Sequence, residues 1–135
     1  MEGSNGIAAL VLLVTPQGIP LVRDPSKGPM IYWKLPGGKG QGEETAEDCA
    51  VREMQEETGA ELLATNLQLI FREKKRDHVK FAFRADLAQL PVLRERGDEG
   101  EEIRVFQPAE ILALEDFFPS HAPIVWRILR GLASL

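Results

Sequence analysis

The sequence has a single cysteine, Cys49, among 135 residues, and only two histidines. An internal disulfide is therefore excluded, and so are a zinc ribbon and a thioredoxin-type motif, each of which needs more thiol or imidazole ligands. Long apolar runs are also lacking. The longest, Ile7 to Val14, falls far short of the ~20 residues that cross a bilayer, and Met1 to Gly6 carries no basic leader. Positive charge is in deficit, with 16 Lys and Arg against 21 Asp and Glu and a formal net charge of −5. That sign does not suit a protein that holds nucleic acid through its overall field, so a polyanionic partner needs a local basic patch or a bound cation. No membrane and no nucleic-acid partner are expected, and a reducing, cytoplasmic setting suits the lone thiol.

What is present is ordinary globular material, 27% charged and 44% hydrophobic, at a length that suits one domain over residues 1–135. Ile7 to Val14 shows no polar alternation and reads as a strand covered on both faces, in the middle of a sheet. A turn at Thr15 to Gly18 leads to a strand over Ile19 to Arg23. Asp24 to Met30 reads as a loop, and Tyr32 to Leu35 as a short strand stopped by Pro36-Gly37-Gly38. Leu67 to Arg72 and Val79 to Leu87 form a hairpin turning at Glu73 to His78, with Val79, Phe81, Phe83 and Ala85 on one face. Ile103 to Phe106 is a further strand, Pro108 to Leu114 a short helix, and Ala122 to Leu132 an amphipathic helix whose Trp126, Ile128 and Leu129 read as core. Strands on both sides of a helix indicate an α/β fold with a mixed sheet.

The informative stretch is Gly37 to Ala60. Thr45 and Asp48 form a capping box at the start of a helix over Ala46 to Thr58, and Gly59 supplies its left-handed exit. At roughly 100° per residue, Ala46, Cys49, Ala50 and Met54 make the apolar stripe, and Glu53 and Glu57 point within about 40° of Ala46. Glu56 borders them, whereas Glu47, Asp48 and Gln55 lie outward. Three carboxylates so placed repel one another and resist burial. Arg52 can reach Glu56 one turn on, but one guanidinium does not neutralise three anions. Mg²⁺, or alternatively Mn²⁺, would, because hard cations take oxygen ligands and keep waters beside a few carboxylates. A solvated acidic face with Glu–Arg pairs is the plainer alternative, but two of the three glutamates sit on the apolar side. Cys49 reads as a small buried filler.

Gly38, Glu44, Arg52-Glu53-Met54, Glu56-Glu57 and Gly59-Ala60 together resemble the Nudix box of the Nudix hydrolases. The last position departs, since Ala60 stands where the family has a bulky aliphatic. Trp33 to Lys39 resembles the approach to the box, and the element order resembles the family's α/β/α sandwich. The resemblance implies that a metal-activated water hydrolyses a nucleoside diphosphate linked to another group. It implies Glu53, Glu56 and Glu57 as metal ligands, Arg52 as the residue that orients Glu53, Glu44 as a weaker ligand, and Gly37 and Gly38 as points of close backbone approach to metal and phosphates. Lys39 and Arg23 are candidates for phosphate contact. The family's general base is a box glutamate or a late acidic loop, and Glu99, ahead of Glu101 or Glu102, is the choice here. The alternative for the Arg94 to Glu102 segment is a floppy solvated loop.

Substrate marks outside the box are sparse. The proline typical of ADP-ribose hydrolases, the tyrosine of the diadenosine polyphosphate enzymes and the coenzyme A signature are all missing. Asp116 to Val125 is similar to the segment before the last helix in the MutT branch, which cleaves nucleoside triphosphates to monophosphate and pyrophosphate. His121 falls where that branch reads the base with an amide, whose hydrogen-bonding capacity one imidazole tautomer matches only in part. The expected substrate is thus a nucleoside triphosphate, with ADP-ribose or a dinucleoside polyphosphate as the alternative. A non-catalytic nucleotide-sensing module on the same fold is the contrasting class, and a homodimer is compatible with either.

Overall fold

The computed structural model describes residues 4–26 and 31–134. Strand β1 (Ile7–Val14) lies inside a four-stranded sheet ordered β3-β1-β5-β4, where β3 is Gly37–Lys39, β4 Leu67–Lys74 and β5 Val79–Asp86. It runs parallel to β5, from Ile7 opposite Val79 to Val14 opposite Asp86, and antiparallel to β3. Parallel pairing beside antiparallel pairing makes the sheet mixed. A second sheet pairs β2 (Ile19–Arg23) with β6 (Glu102–Phe106).

The unbroken apolar run of β1 is explained by what covers it. Ala9, Val11 and Leu13 face helix α1 (Ala46–Thr58) and pack with Cys49, Ala50, Met54 and Phe83. Leu10 and Leu12 face the other way, into a cluster with Ile19, Leu21, Trp33, Phe106, Val125 and Leu129. Helices α2 (Pro108–Ala113) and α3 (Ala122–Ala133) close that side. Helix, sheet and helices therefore stack as an α/β/α sandwich. Among the described residues no helix is long and apolar enough to cross a membrane.

Three expectations need correction. Tyr32 to Leu35 is no regular strand: Lys34 bridges Val22 and Trp33 bridges Phe117, each in isolation. The segment is shared between two different neighbours, so no ladder extends along it. Gly37 and Gly38, read with Pro36 as a stop, instead begin a strand with Lys39, because the glycines fit between β1 and α1 and pair with Leu10 and Ala9, while Lys39 pairs with Ala8. Trp126 is not core but 42% exposed, with the Arg130 guanidinium 5.3 Å above its ring. Val125 and Leu129, one turn apart, own the buried face of α3, and Trp126 lies about 100° away from Val125 on the wheel. The loop expected over Asp24 to Met30 falls partly outside the described residues.

Candidate active site

Helix α1 begins as its capping residues dictate. The Asp48 N–H donates to Thr45 Oγ1 at 3.1 Å and the Thr45 N–H donates to Asp48 Oδ2 at 3.2 Å. At the other end Gly59, with φ 85°, takes the left-handed conformation that a side chain disfavours, and its N–H donates to Gln55 O. Fixed at both ends, the helix turns Met54 fully inward and brings Glu53 and Glu57 against β3. The fit is close: a Cβ built on Gly38 would fall 2.5 Å from Glu53 Cδ. Glu57 Oε1 accepts the Gly37 N–H at 2.9 Å.

Burial dominates the electrostatics of this pair. Desolvation pushes the Glu57 carboxyl up to about 8, against the lowering effect of the Gly37 hydrogen bond, and the Glu53 charge raises it further. Glu53 is raised too, first by burial, with Arg52 opposing and Glu56 and Glu99 adding to the rise. Two acids that resist ionisation in one cleft are held there at a cost that positive charge would relieve.

Arg52 is the hub of the neighbouring ion pairs. Its Nε and Nη2 grip both oxygens of Glu44, at 2.6 and 3.0 Å, and Nη1 reaches Glu53 at 3.3 Å and Glu56 at 3.1 Å. Nη2 also donates to Lys39 O at 2.9 Å, which ties the helix to β3. The Arg52 hydrogen bond is the main reason why the Glu44 carboxyl is held below the usual range. Glu44 is thus committed to Arg52. The Glu56 side chain is 39% exposed against 14% for Glu53, in keeping with its place at the edge of the stripe.

A cleft of about 450 Å³ opens beside these groups, lined by Lys34, Lys39, Glu53, Glu57 and Glu99 over the backbone of Gly37, Gly38 and Gly40. Lys34 is a cation that the sequence analysis did not single out. Alternation in Trp33-Lys34-Leu35, with both neighbours buried, is the signal that could have found it. Its charge favours ionisation of Glu57.

The segment carrying Glu99 is docked, contrary to the floppy-loop alternative. The Arg94 N–H donates to Thr58 O at 2.8 Å and the Asp98 N–H to Glu56 O at 2.9 Å, satisfying carbonyls at the open end of α1. Arg94 and Asp98 pair with each other. Glu101, 7% exposed, turns inward, and its Oε1 accepts the Glu99 N–H at 3.0 Å. The loop thereby brings one exposed acid, Glu99, to the cleft and buries another beneath it.

Two expected substrate contacts are engaged elsewhere. Arg23 pairs in a two-point grip with Glu102, at 3.2 and 3.1 Å, and lies 4.4 Å over the Trp33 ring, outside the lining of the cleft. His121 is buried, its Nδ1 accepting the Leu35 N–H at 3.2 Å, with Phe118 edge-on at 4.8 Å. Burial, with Lys80 and Lys34 adding to it, pushes the imidazole down to about 3, so it is neutral at pH 7. Cys49 is fully buried and its thiol is pushed up to about 11, chiefly by burial, so it is no nucleophile.

Among the described residues no group of three or more Asp, Glu, His or Cys side chains is placed to hold a metal ion. Glu53 and Glu57 on one wall of an open cleft do fit a hard cation that keeps much of its water, since such ions take only one or two carboxylates. The oxygen-only donor set excludes the soft thiolate and imidazole chemistry of a structural zinc site.

A family model described as the NUDIX domain matches residues 4–127. No curated protein sequence matches the chain. Among solved structures, the MutT protein described for Aliivibrio salmonicida and Vibrio cholerae is similar at a TM-score of 0.73 and 18% identity, covering 92% of this chain and 96% of that one. The C. elegans Ap4A hydrolase aligns at a TM-score of 0.70 and 14% identity, over 95% of this chain and 99% of that one. A MutT/nudix family protein from Enterococcus faecalis aligns at 0.64 and 22% identity over 77% of this chain, which spans 44% of that longer protein. These identities speak for the fold, whereas the family match takes in both sheets and the helix bearing the three glutamates, and on that ground the chain belongs to the Nudix family of pyrophosphohydrolases.

Proposed function

We propose that the chain hydrolyses a nucleoside triphosphate to the monophosphate and pyrophosphate, with Glu53, Glu56 and Glu57 holding Mg²⁺ or Mn²⁺. The observation that carries this reading is the pair Glu53 and Glu57, both raised in pKa, facing one cleft together with Lys34 and Lys39. A bound divalent cation supplies charge that screens phosphoryl oxygens and acidity for an attacking water. The chain's own residues do the rest. Arg52 fixes the orientation of Glu53 and Glu56 through Nη1. Lys39 and Lys34 are placed to meet phosphate oxygens across the cleft. Glu99, exposed at the mouth and close enough for its charge to act on Glu53, takes the proton from water as the oxygen attacks phosphorus and the bridging P–O bond breaks. Pyrophosphate departs with the electron pair of that bond.

Similarity to the MutT segment at Asp116 to Val125 supports the triphosphate over the alternatives. A buried neutral His121 offers a base a weaker recognition edge than an amide would, so strict selection of one purine is not expected. A panel of nucleoside triphosphates, ADP-ribose and dinucleoside polyphosphates, assayed by anion-exchange chromatography of the product nucleotides in Mg²⁺ and then in EDTA, tests the reading. The expected result is fastest turnover of triphosphates, abolished by EDTA. Turnover confined to ADP-ribose or a dinucleoside polyphosphate would replace the substrate assignment, and turnover in EDTA would remove the cation from it.

A further inference from the structure

Asn5 joins two parts of the chain that are distant in sequence. Its N–H donates to Gly40 O at 3.0 Å, and the Gly40 N–H donates to Ile7 O at 2.7 Å, so the approach to β1 runs beside the exit from β3. On that short ladder the carboxamide uses both ends. Oδ1 accepts the Ile7 N–H at 3.1 Å, while Nδ2 donates to Gly42 O at 3.2 Å and to Glu44 O at 3.0 Å. A local Asn turn needs only the first of these bonds. The other two fasten the loop that leads into α1.

That loop ends on Glu44, whose side chain is already held. Its Oε1 accepts the Gln41 N–H at 2.8 Å, and both oxygens bind Arg52, which reaches on to Glu53 and Glu56. We infer that Asn5 is a positioning residue for the carboxylates of α1: it fixes the backbone of residues 42–44, hence Glu44, hence Arg52, hence the orientation of Glu53 and Glu56. The inference rests on the reading of α1 as the cation-binding helix. An amide is required because it accepts and donates at once. An aspartate would keep the bond to Ile7 and turn lone pairs toward the Gly42 and Glu44 carbonyls. Asn5 and its bonds to the loop are solvent-exposed, so their loss loosens the loop without opening the core.

The test is Mn²⁺ binding to the full chain, followed by electron paramagnetic resonance of the free ion. It compares the wild type with Asn5→Ala, Asn5→Asp, Glu44→Gln, Glu57→Gln and the double variant Asn5→Ala/Glu44→Gln, with melting curves for each. Both Asn5 variants are expected to bind about tenfold more weakly, as when groups that orient metal ligands are removed. The double variant is expected to bind no more weakly than Glu44→Gln alone, because Asn5 acts through Glu44. Wild-type affinity in both Asn5 variants, or fully additive losses in the double variant, overturns the inference. A wild type that binds Mn²⁺ through Glu57 and ignores Asn5 leaves the cation reading standing. A wild type that takes up no Mn²⁺ removes both.

Discussion

Glu57 shows most clearly what one residue costs and supplies. Its folded pKa of about 8 lies above the ordinary 4.5, so the folded chain without a cation is favoured while the group is protonated. That favour is full below about 4.5 and lost as pH rises through about 8. Glu57→Gln is therefore expected to raise Tm in EDTA at pH 8, because an unpaired buried charge is removed, and to cut kcat by orders of magnitude in Mg²⁺. Melting curves and steady-state kinetics check the two halves, and near-normal turnover would contradict the ligand assignment. His121 has the opposite sign. Its folded pKa of about 3 is below the unfolded 6.5, so its contribution is present above 6.5 and lost as pH falls toward 3. His121→Asn, which can offer an oxygen to the Leu35 N–H, is expected to flatten the acid side of the stability profile between those limits. His121→Ala leaves that buried N–H unpaired and is expected to cost about 1–3 kcal/mol at neutral pH by urea unfolding.

Strand β3, helix α1 and the docked segment from Arg94 to Glu101 build the cleft. Thr45→Ala removes the acceptor for the Asp48 N–H and is expected to lower stability by about 1 kcal/mol, seen as a Tm drop of a few degrees. Gly97→Ala addresses the loop. A Cβ there would fall 2.8 Å from Glu57 O, so the loop must lift from the helix and carry Glu99 with it. The expected outcome is a kcat lower by about ten- to a hundredfold, with Mn²⁺ affinity close to wild type. Unchanged kcat would show that Glu99 needs no fixed seat. Helix α1 was legible in the sequence because Thr45, Asp48 and Gly59 mark its ends and the apolar period marks its face. Seating of the 94–101 loop was not, since it depends on backbone N–H groups meeting helix carbonyls, and backbone bonds leave no residue signature. Lys34 was obscured for a related reason: it faces the cleft from a segment where it and Trp33 each make one isolated bridge, to Val22 and to Phe117, and both of those partners are distant in sequence.

At the scale of the whole molecule, the same strand separates two different jobs. One face of β1 supports α1 and, with it, the acids; the other supports α2, α3 and the small sheet, where Arg23 lies over Trp33 and His121 accepts the Leu35 N–H. The layered fold could be read from the apolar run of β1 and the spacing of later strands. Commitment of Arg23 to Glu102 could not, because the two meet only when β2 pairs with β6 far along the chain. The net charge of −5 bears on the proposed cation uptake, since a cation held by Glu53 and Glu57 would offset the repulsion between an acidic chain and a polyanionic nucleotide. Isothermal titration calorimetry of Mg²⁺ or Mn²⁺ into the metal-free chain tests that most directly. Saturable uptake by the wild type that is lost in Glu57→Gln is the predicted result; no uptake, or uptake indifferent to Glu57, would contradict it.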